Sequence, residues 1–267
     1  MTRKIPYWHV DAFAARPFGG NQAAVMVLDE WLPDDVLVAI GAENLFAETA
    51  FVVRDATGAA DWELRWCTPT YEIALCGHAT LASGHVLLTR DAEGQAPGRV
   101  TFRTRKSGVL EVVRAGGGYE LALPAIATLP DSAANQAEAI RLLGAEPLEV
   151  YRSDLGYNIY LYDNEAAVRG LSPDIRGLER LGTDQFIVTA PGAATDIVSR
   201  VFVPGGGVDE DSVTGSAHAV LTPYWAQRLG RDSFTAHQAS TRGGDLTLRL
   251  DGDRAWLGGP CVTVVEG

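Results

Sequence analysis

The chain has 267 residues, 46% of them hydrophobic, and a net charge of −12. That length is long for one compact core and suits two domains of about 100–150 residues each. The apolar content predicts a packed globular protein rather than a disordered one, and an acidic surface argues against nucleic acid as a partner.

No segment reaches the ~18 uninterrupted apolar residues of a membrane helix, and the first residues lack a signal-peptide core, so no membrane is expected and the cytoplasm is the expected location. Cys67, Cys76 and Cys261 are odd in number and form no CxxC. Neither a disulfide framework nor a zinc knuckle is suggested.

In chain order, "PYWHVDAF" and "QAAVMVLD" read as strands around the loop "ARPFGGNQ". "LPDDVLVAIGAE" reads as a short helix with acidic residues in its first turn, where the helix dipole favours them. "ETAFVVRD" and "DWELRWCTP" alternate like strands, as do "GVLEVVRA", "YELALPA" and "LEVYRSD" further on. "DSAANQAEAIRLLGA" predicts a helix capped by Asp131 or Ser132 and ended by Gly144. "DQFIVTAP", "DIVSRVFVP", "DLTLRLDG" and "CVTVVEG" complete the strands. Prolines near residues 121–131 mark the best boundary, giving domains of 1–122, joined by the closing strand 260–267, and 123–259.

The chain also repeats itself. "FVVRDATGAADWELRWCTP" and "FIVTAPGAATDIVSRVFVP" pair Phe51 with Phe186, Asp61 with Asp196, Arg65 with Arg200 and Pro69 with Pro204, all 135 positions apart. Gly77 and Gly215 then stand 138 apart, so one copy gained three residues. Two domains of like architecture are expected, each with one Gly-x-Ala helix start. "HATLASGHVLLTR" and "SAHAVLTPYWAQRLG" are apolar around most of the helical wheel, which marks central, buried helices. Pro223 is expected to kink the second and Gly230 to end it.

A buried helix needs partners for its first free N–H groups, and those groups with the positive dipole end suit a carboxylate or oxyanion. Thr214 and Ser216 are candidates to cap the second start. Plain capping explains one such start; two facing each other across a cleft favour an anion site.

Proton carriers near these motifs are Glu48, His78 and Asp211. Glu48 sits where a loop enters an apolar strand, and a carboxyl partly out of water there suits proton shuttling. His78, at a helix start whose dipole disfavours a cation, reads as a hydrogen-bond donor or orienter. Asp211, Ser216 and His218 hold the letters of a hydrolase triad, but they crowd onto one turn and no GxSxG accompanies them. Cys76, His78 and His85 lack a spaced metal-ligand pattern, so no metal is expected. The Gly-rich stretches complete no nucleotide motif, and no cofactor is expected.

The stretches "VDAFAARPFGGNQAAV", "ETAFV", "RWCTPTYEIALCGHATLASGHVL", "VDEDSVTGSAH" and "PYWAQRLG" resemble the phenazine-biosynthesis PhzF-like family, within the diaminopimelate epimerase-like superfamily. The resemblance implies an α+β fold of two similar domains, each a β-barrel-like sheet wrapped around a central helix, with the active site in the interdomain cleft. It implies a cofactor-independent isomerase that moves a proton on a small carboxylic acid like dihydro-hydroxyanthranilic acid, in a homodimer.

Carried over by motif, Glu48 is the proton shuttle, and His78, Asp211 and Ser216 complete the site. Gly77, Ala79, Thr214, Gly215 and Ala217 are the substrate-binding positions. Where the family reads Asn-Leu-Ser-Glu-Thr this chain has "LFAET", and Ser212 replaces a family proline, which leaves the substrate open. Superfamily epimerases use two opposed cysteines; Cys76 stands at one position and Thr214 at the other, against a two-thiol racemase. A one-thiol racemase through Cys76 and a non-catalytic binder of small acids remain as alternatives.

Overall fold

The computed structural model describes residues 4–90 and 98–267. The chain divides into two compact units, residues 1–123 with 257–267, and residues 124–256.

The first unit holds β1 (Tyr7–Ala12), β2 (Asn21–Val27), α1 (Asp34–Asn44), β3 (Glu48–Arg54), β4 (Trp62–Cys67), β5 (Glu72–Ile73), α2 (Gly77–Arg90), β6 (Arg99–Thr104), β7 (Val109–Ala115) and β8 (Gly118–Pro124). The second holds β9 (Leu129–Asp131), α3 (Ala137–Leu143), β10 (Glu149–Arg152), β11 (Tyr157–Leu161), α4 (Glu165–Gly170), α5 (Ile175–Glu179), β12 (Gln185–Pro191), β13 (Ile197–Val203), β14 (Val208–Asp211), α6 (Gly215–Leu229), β15 (Ser233–Gln238) and β16 (Gly244–Asp251). β17 (Arg254–Gly259) leads back, and β18 (Cys261–Glu266) completes the first unit beside β1.

Both units are laced in the same way. In the first, β1 is antiparallel to β18 and β2, β2 is parallel to β3, β3 antiparallel to β4, and β4 antiparallel to β5 and parallel to β6. In the second, β10 is antiparallel to β9 and β11, β11 parallel to β12, β12 antiparallel to β13, and β13 antiparallel to β14 and parallel to β15.

Side chains repeat too. Asp61 N–H donates to Thr101 Oγ1 (3.0 Å) while Thr101 N–H donates to Asp61 Oδ2 (2.8 Å); Asp196 and Thr235 exchange the same bonds at 3.1 and 2.8 Å. Arg65 grips Glu72 through Nε (3.0 Å) and Nη2 (2.5 Å), and Arg200 grips Glu210 through the same atoms at 2.8 and 3.0 Å.

One part of the sequence pairing needs correction. Phe51 lies opposite Arg65, but the residue opposite Arg200 is Val188, so Phe186 is not the counterpart of Phe51. The hairpin loop is seven residues in the first unit (55–61) and five in the second (192–196). β3 and β12 therefore correspond at a spacing of 137, which sets Glu48 against Gln185.

α2 packs against β18, β1, β2 and β3 and also against β6 and β7, so the sheet of the first unit wraps around it. Its residues 77–84 and 86–88 are all buried, as a helix apolar on every side requires. α6 is buried on most positions from Gly215 to Ala226. Outside the first sheet, Leu37 of α1 joins Met26, Leu28, Phe51 and Val53 in a second apolar layer. In the other unit Ile140, Leu142 and Leu143 of α3 pack with Tyr160, Phe186, Val188 and Phe202. Each fully buried side chain of this kind contributes about 1.5–3 kcal/mol.

α1 carries Asp34 and Asp35 in its first turn, as expected. The helix predicted from Asp131 starts later, at Ala137, without a side-chain cap. Asp131 instead ends β9 and accepts bonds from Ser132 N–H (2.8 Å) and Asn135 Nδ2 (2.7 Å), a local turn that outcompetes a first helical turn. Gly144 does end α3, at φ 91°. α6 runs through Pro223 to Gly230, which is left-handed at φ 66°. The proline has no N–H to offer Ala219 O. Ile126 N–H donates to that carbonyl instead, at 3.1 Å. No described helix is long and apolar enough to cross a membrane.

α2 lies tight on β7 at Gly84, where an added Cβ would come within 2.7 Å of Val112 Cβ. The substitution Gly84→Ala is expected to destabilise the protein by about 1–3 kcal/mol, overpacking outweighing the helix propensity gained. A lower urea midpoint checks this; an unchanged or raised midpoint would show that β7 yields freely.

Candidate active site

In the first unit the site begins with strand register. β2 and β3 run parallel with Ala23 beside Glu48, so Asn21 and Glu48 share the edge at which both strands start. α2 starts against the same edge. The Glu48 carboxyl Oε2 lies 3.2 Å from Nε2 of His78, the second residue of α2. The Glu48 side chain is 15% exposed and that of His78 only 5%. Asn21 lies 3.2 Å from the other ring nitrogen, Nδ1. An amide suits either state of the ring, offering its N–H to a neutral imidazole or its carbonyl to an imidazolium. Phe46 anchors the loop entering β3 by packing on His9, ring centroids 4.5 Å apart.

Burial alone disfavours charge on His78, but the Cys76 sulfur at 3.6 Å and the Glu48 carboxylate outweigh it and hold the imidazole well above its ordinary range. Cys76 itself is pushed up to about 11, by burial first and then by Glu48, so it is a thiol near neutral pH. Glu48, at 3.2 Å, is the second neighbour after Cys76 that favours a proton on His78. The dipole argument pointed the other way. It is overturned because a full negative charge at contact distance exceeds the roughly half charge of a helix end.

Glu48, Cys76 and His78 have donor atoms within 4.8 Å of one another. The other ring nitrogen of His78 faces Asn21 at 3.2 Å. His85, weighed with them from sequence, lies apart. Its nitrogens meet Tyr119 OH at 3.0 Å and Thr263 Oγ1 at 2.9 Å, and burial lowers it to about 4.

In the second unit, Thr214 does not cap α6. Its hydroxyl donates to Asp211 Oδ2 at 2.6 Å and its N–H to Gln238 Oε1 at 2.8 Å. Gln238 Nε2 donates to Asp211 O at 2.7 Å, so Asp211, Thr214 and Gln238 form one closed knot. The first N–H groups of α6, at Gly215, Ser216 and Ala217, have no partner within the helix. Gln185 Nε2 donates to Ser216 Oγ at 3.2 Å, where the first unit has the Glu48–His78 contact. His218 is fully buried, pairs through Nδ1 with Thr214 O at 2.8 Å, and is lowered to about 4 by burial, so it builds no triad with Asp211 and Ser216.

Thus the first unit brings Glu48 and His78 together at the α2 start with Gly77 and Ala79, and the second brings Asp211 and Thr214 together at the α6 start with Gly215, Ser216 and Ala217. Asn21, Gln185 and Gln238 escaped the sequence reading. Asn21 lies inside a stretch quoted for the resemblance and Gln238 outside all of them, and nothing in their residue type marks either. Gln185 was hidden by the two-residue difference in hairpin length.

The profile of the PhzC-PhzF family, described as phenazine biosynthesis-like protein, matches residues 10–267. An uncharacterized isomerase of Pseudomonas aeruginosa is 45% identical over 265 residues, covering 99% of this chain and 98% of that protein. The crystal structure of a PhzF-family phenazine biosynthesis protein from Enterococcus faecalis superposes with a TM-score of 0.88 at 38% identity, over 99% of this chain and 98% of the other. A hydroxyproline epimerase from Agrobacterium vitis shares the fold, with a TM-score of 0.60 at 14% identity over 100% of this chain and 91% of that one. The chain belongs to the PhzC-PhzF, phenazine biosynthesis-like family.

Proposed function

We propose that the protein is an isomerase that moves a proton on a small carboxylic acid of the dihydro-hydroxyanthranilate kind, without a cofactor, using Glu48 as the carrier. The observation that supports this most is the 3.2 Å contact between Glu48 and His78 at the start of a buried helix. One carboxyl oxygen, Oε2, faces the imidazole, which leaves Oε1 to take a proton from a substrate carbon and return it at another. His78 is a positioning group, holding the carboxylate in place and balancing its charge in a site with little water. N–H groups at a helix start suit the substrate carboxylate and the negative charge that develops on deprotonation. In this reading Gly77, Ala79, Gly215 and Ala217 supply that backbone, Ser216 a hydroxyl, and Asp211 with Thr214 a rigid polar wall. The protein is proposed to work as a homodimer.

The Cys76–His78 contact at 3.6 Å favours a second reading, a one-thiol racemase. It is the weaker, because burial holds Cys76 in the thiol form.

Glu48→Gln is expected to lower the rate of isomerisation of dihydro-hydroxyanthranilic acid, followed by NMR in deuterated water, by about 10³-fold. Survival of the rate would remove Glu48 from its role. Cys76→Ser is expected to keep most of the activity; a loss on the order of 10³-fold would make the thiol the base. In the imidazole NMR titration, His78 is expected to stay protonated above the ordinary histidine range. In Glu48→Gln it should lose its proton at lower pH than in the wild type, because burial is then less opposed. An unchanged midpoint would show that the carboxylate does not set it.

A further inference from the structure

The second unit repeats the geometry of the proton-transfer pair with different chemistry. Gln185 opens β12 as Glu48 opens β3, and Ser216 is second in α6 as His78 is second in α2. Both pairs are in contact at 3.2 Å. Glutamine cannot carry a proton, so this copy has another use.

A hydroxyl has one donor and two acceptor lone pairs. Gln185 Nε2 donates to Ser216 Oγ. Tyr157 lies beside Gln185 in the β11–β12 ladder. With the Gln185 donor on one lone pair, the Ser216 O–H is turned away from the amide and is left to give to a ligand at the uncapped start of α6. The arrangement has a cost. Gln185 Oε1 is buried without a hydrogen-bond partner, and such a group is destabilising. A residue kept for packing alone would have no need of the amide.

We propose that Gln185 is a positioning residue that orients Ser216 as a hydrogen-bond donor to the carboxylate of the substrate. This rests on the proton-transfer reading only for the identity of the ligand.

The test uses the full-length protein with 3-hydroxyanthranilate as a fluorescent binding probe, and urea unfolding in parallel. Gln185→Met is expected to weaken probe binding about tenfold while leaving the fold as stable or more stable, since the unpaired carbonyl is gone. Gln185→Glu is expected to bind more weakly still, because a carboxylate draws the Ser216 O–H toward itself. Ser216→Ala should also weaken binding, and should add little to Gln185→Met if the amide acts through the hydroxyl.

Unchanged affinity in Gln185→Met, a Gln185→Met protein less stable than wild type, additive effects of the two substitutions, or a wild type that does not bind the probe would each overturn the proposal. Glu48→Gln protein should still bind the probe. If it kept turnover while Gln185→Met lost affinity, the proton-transfer reading would fail and this one would stand.

Discussion

A helix enclosed by its own sheet must leave its first N–H groups inside the protein, where no solvent relieves them. The two units surround that helix start with different side chains. In the first, a histidine follows the leading glycine of α2 and a carboxylate is brought against it by the start of a neighbouring strand. In the second, the residue ahead of α6 turns its hydroxyl away to Asp211 and leaves the helix end open. The side chains beside the two helix starts thus differ, Glu48 with His78 in the first unit and Gln185 with Ser216 in the second.

Duplication explains why the two answers share a geometry. Asp61–Thr101 and Asp196–Thr235 tie the same strands, and Arg65–Glu72 and Arg200–Glu210 brace the same loop ahead of the central helix. Arg65 is almost wholly buried, so its carboxylate partner is obligatory rather than decorative. These braces set where each helix begins, and so which side chains the strand edges can reach. The two copies differ at the strand edge and helix start, with Glu48 against Gln185, His78 against Ser216 and Cys76 against Thr214.

Much of this was legible beforehand. Ordered landmarks such as Asp61/Asp196 and Arg65/Arg200 exposed the repeat, and all-round apolar helices exposed the two central elements. The α+β class and the PhzF-like kinship followed from motifs. What stayed hidden depended on register. A hairpin shorter by two residues left the true partner of Glu48 unseen, because matching phenylalanines outweighed a ladder that only hydrogen bonds define. The state of His78 was misjudged because its decisive neighbour lies 30 positions away in the chain, whereas the dipole is local. The start of α3 was misplaced because Asp131 satisfies a turn as readily as a cap.

Pro223 gives α6 a vacant acceptor midway along its length, and Ile126, just past the start of the second unit, fills it. The helix is therefore incomplete as a local structure. The carbonyl that the proline cannot serve is answered from outside the helix, so this bond ties the helix to the segment that leads into the unit. A residue that looks like a flaw in the helix works as a lock whose key is the strand of chain leading into the unit.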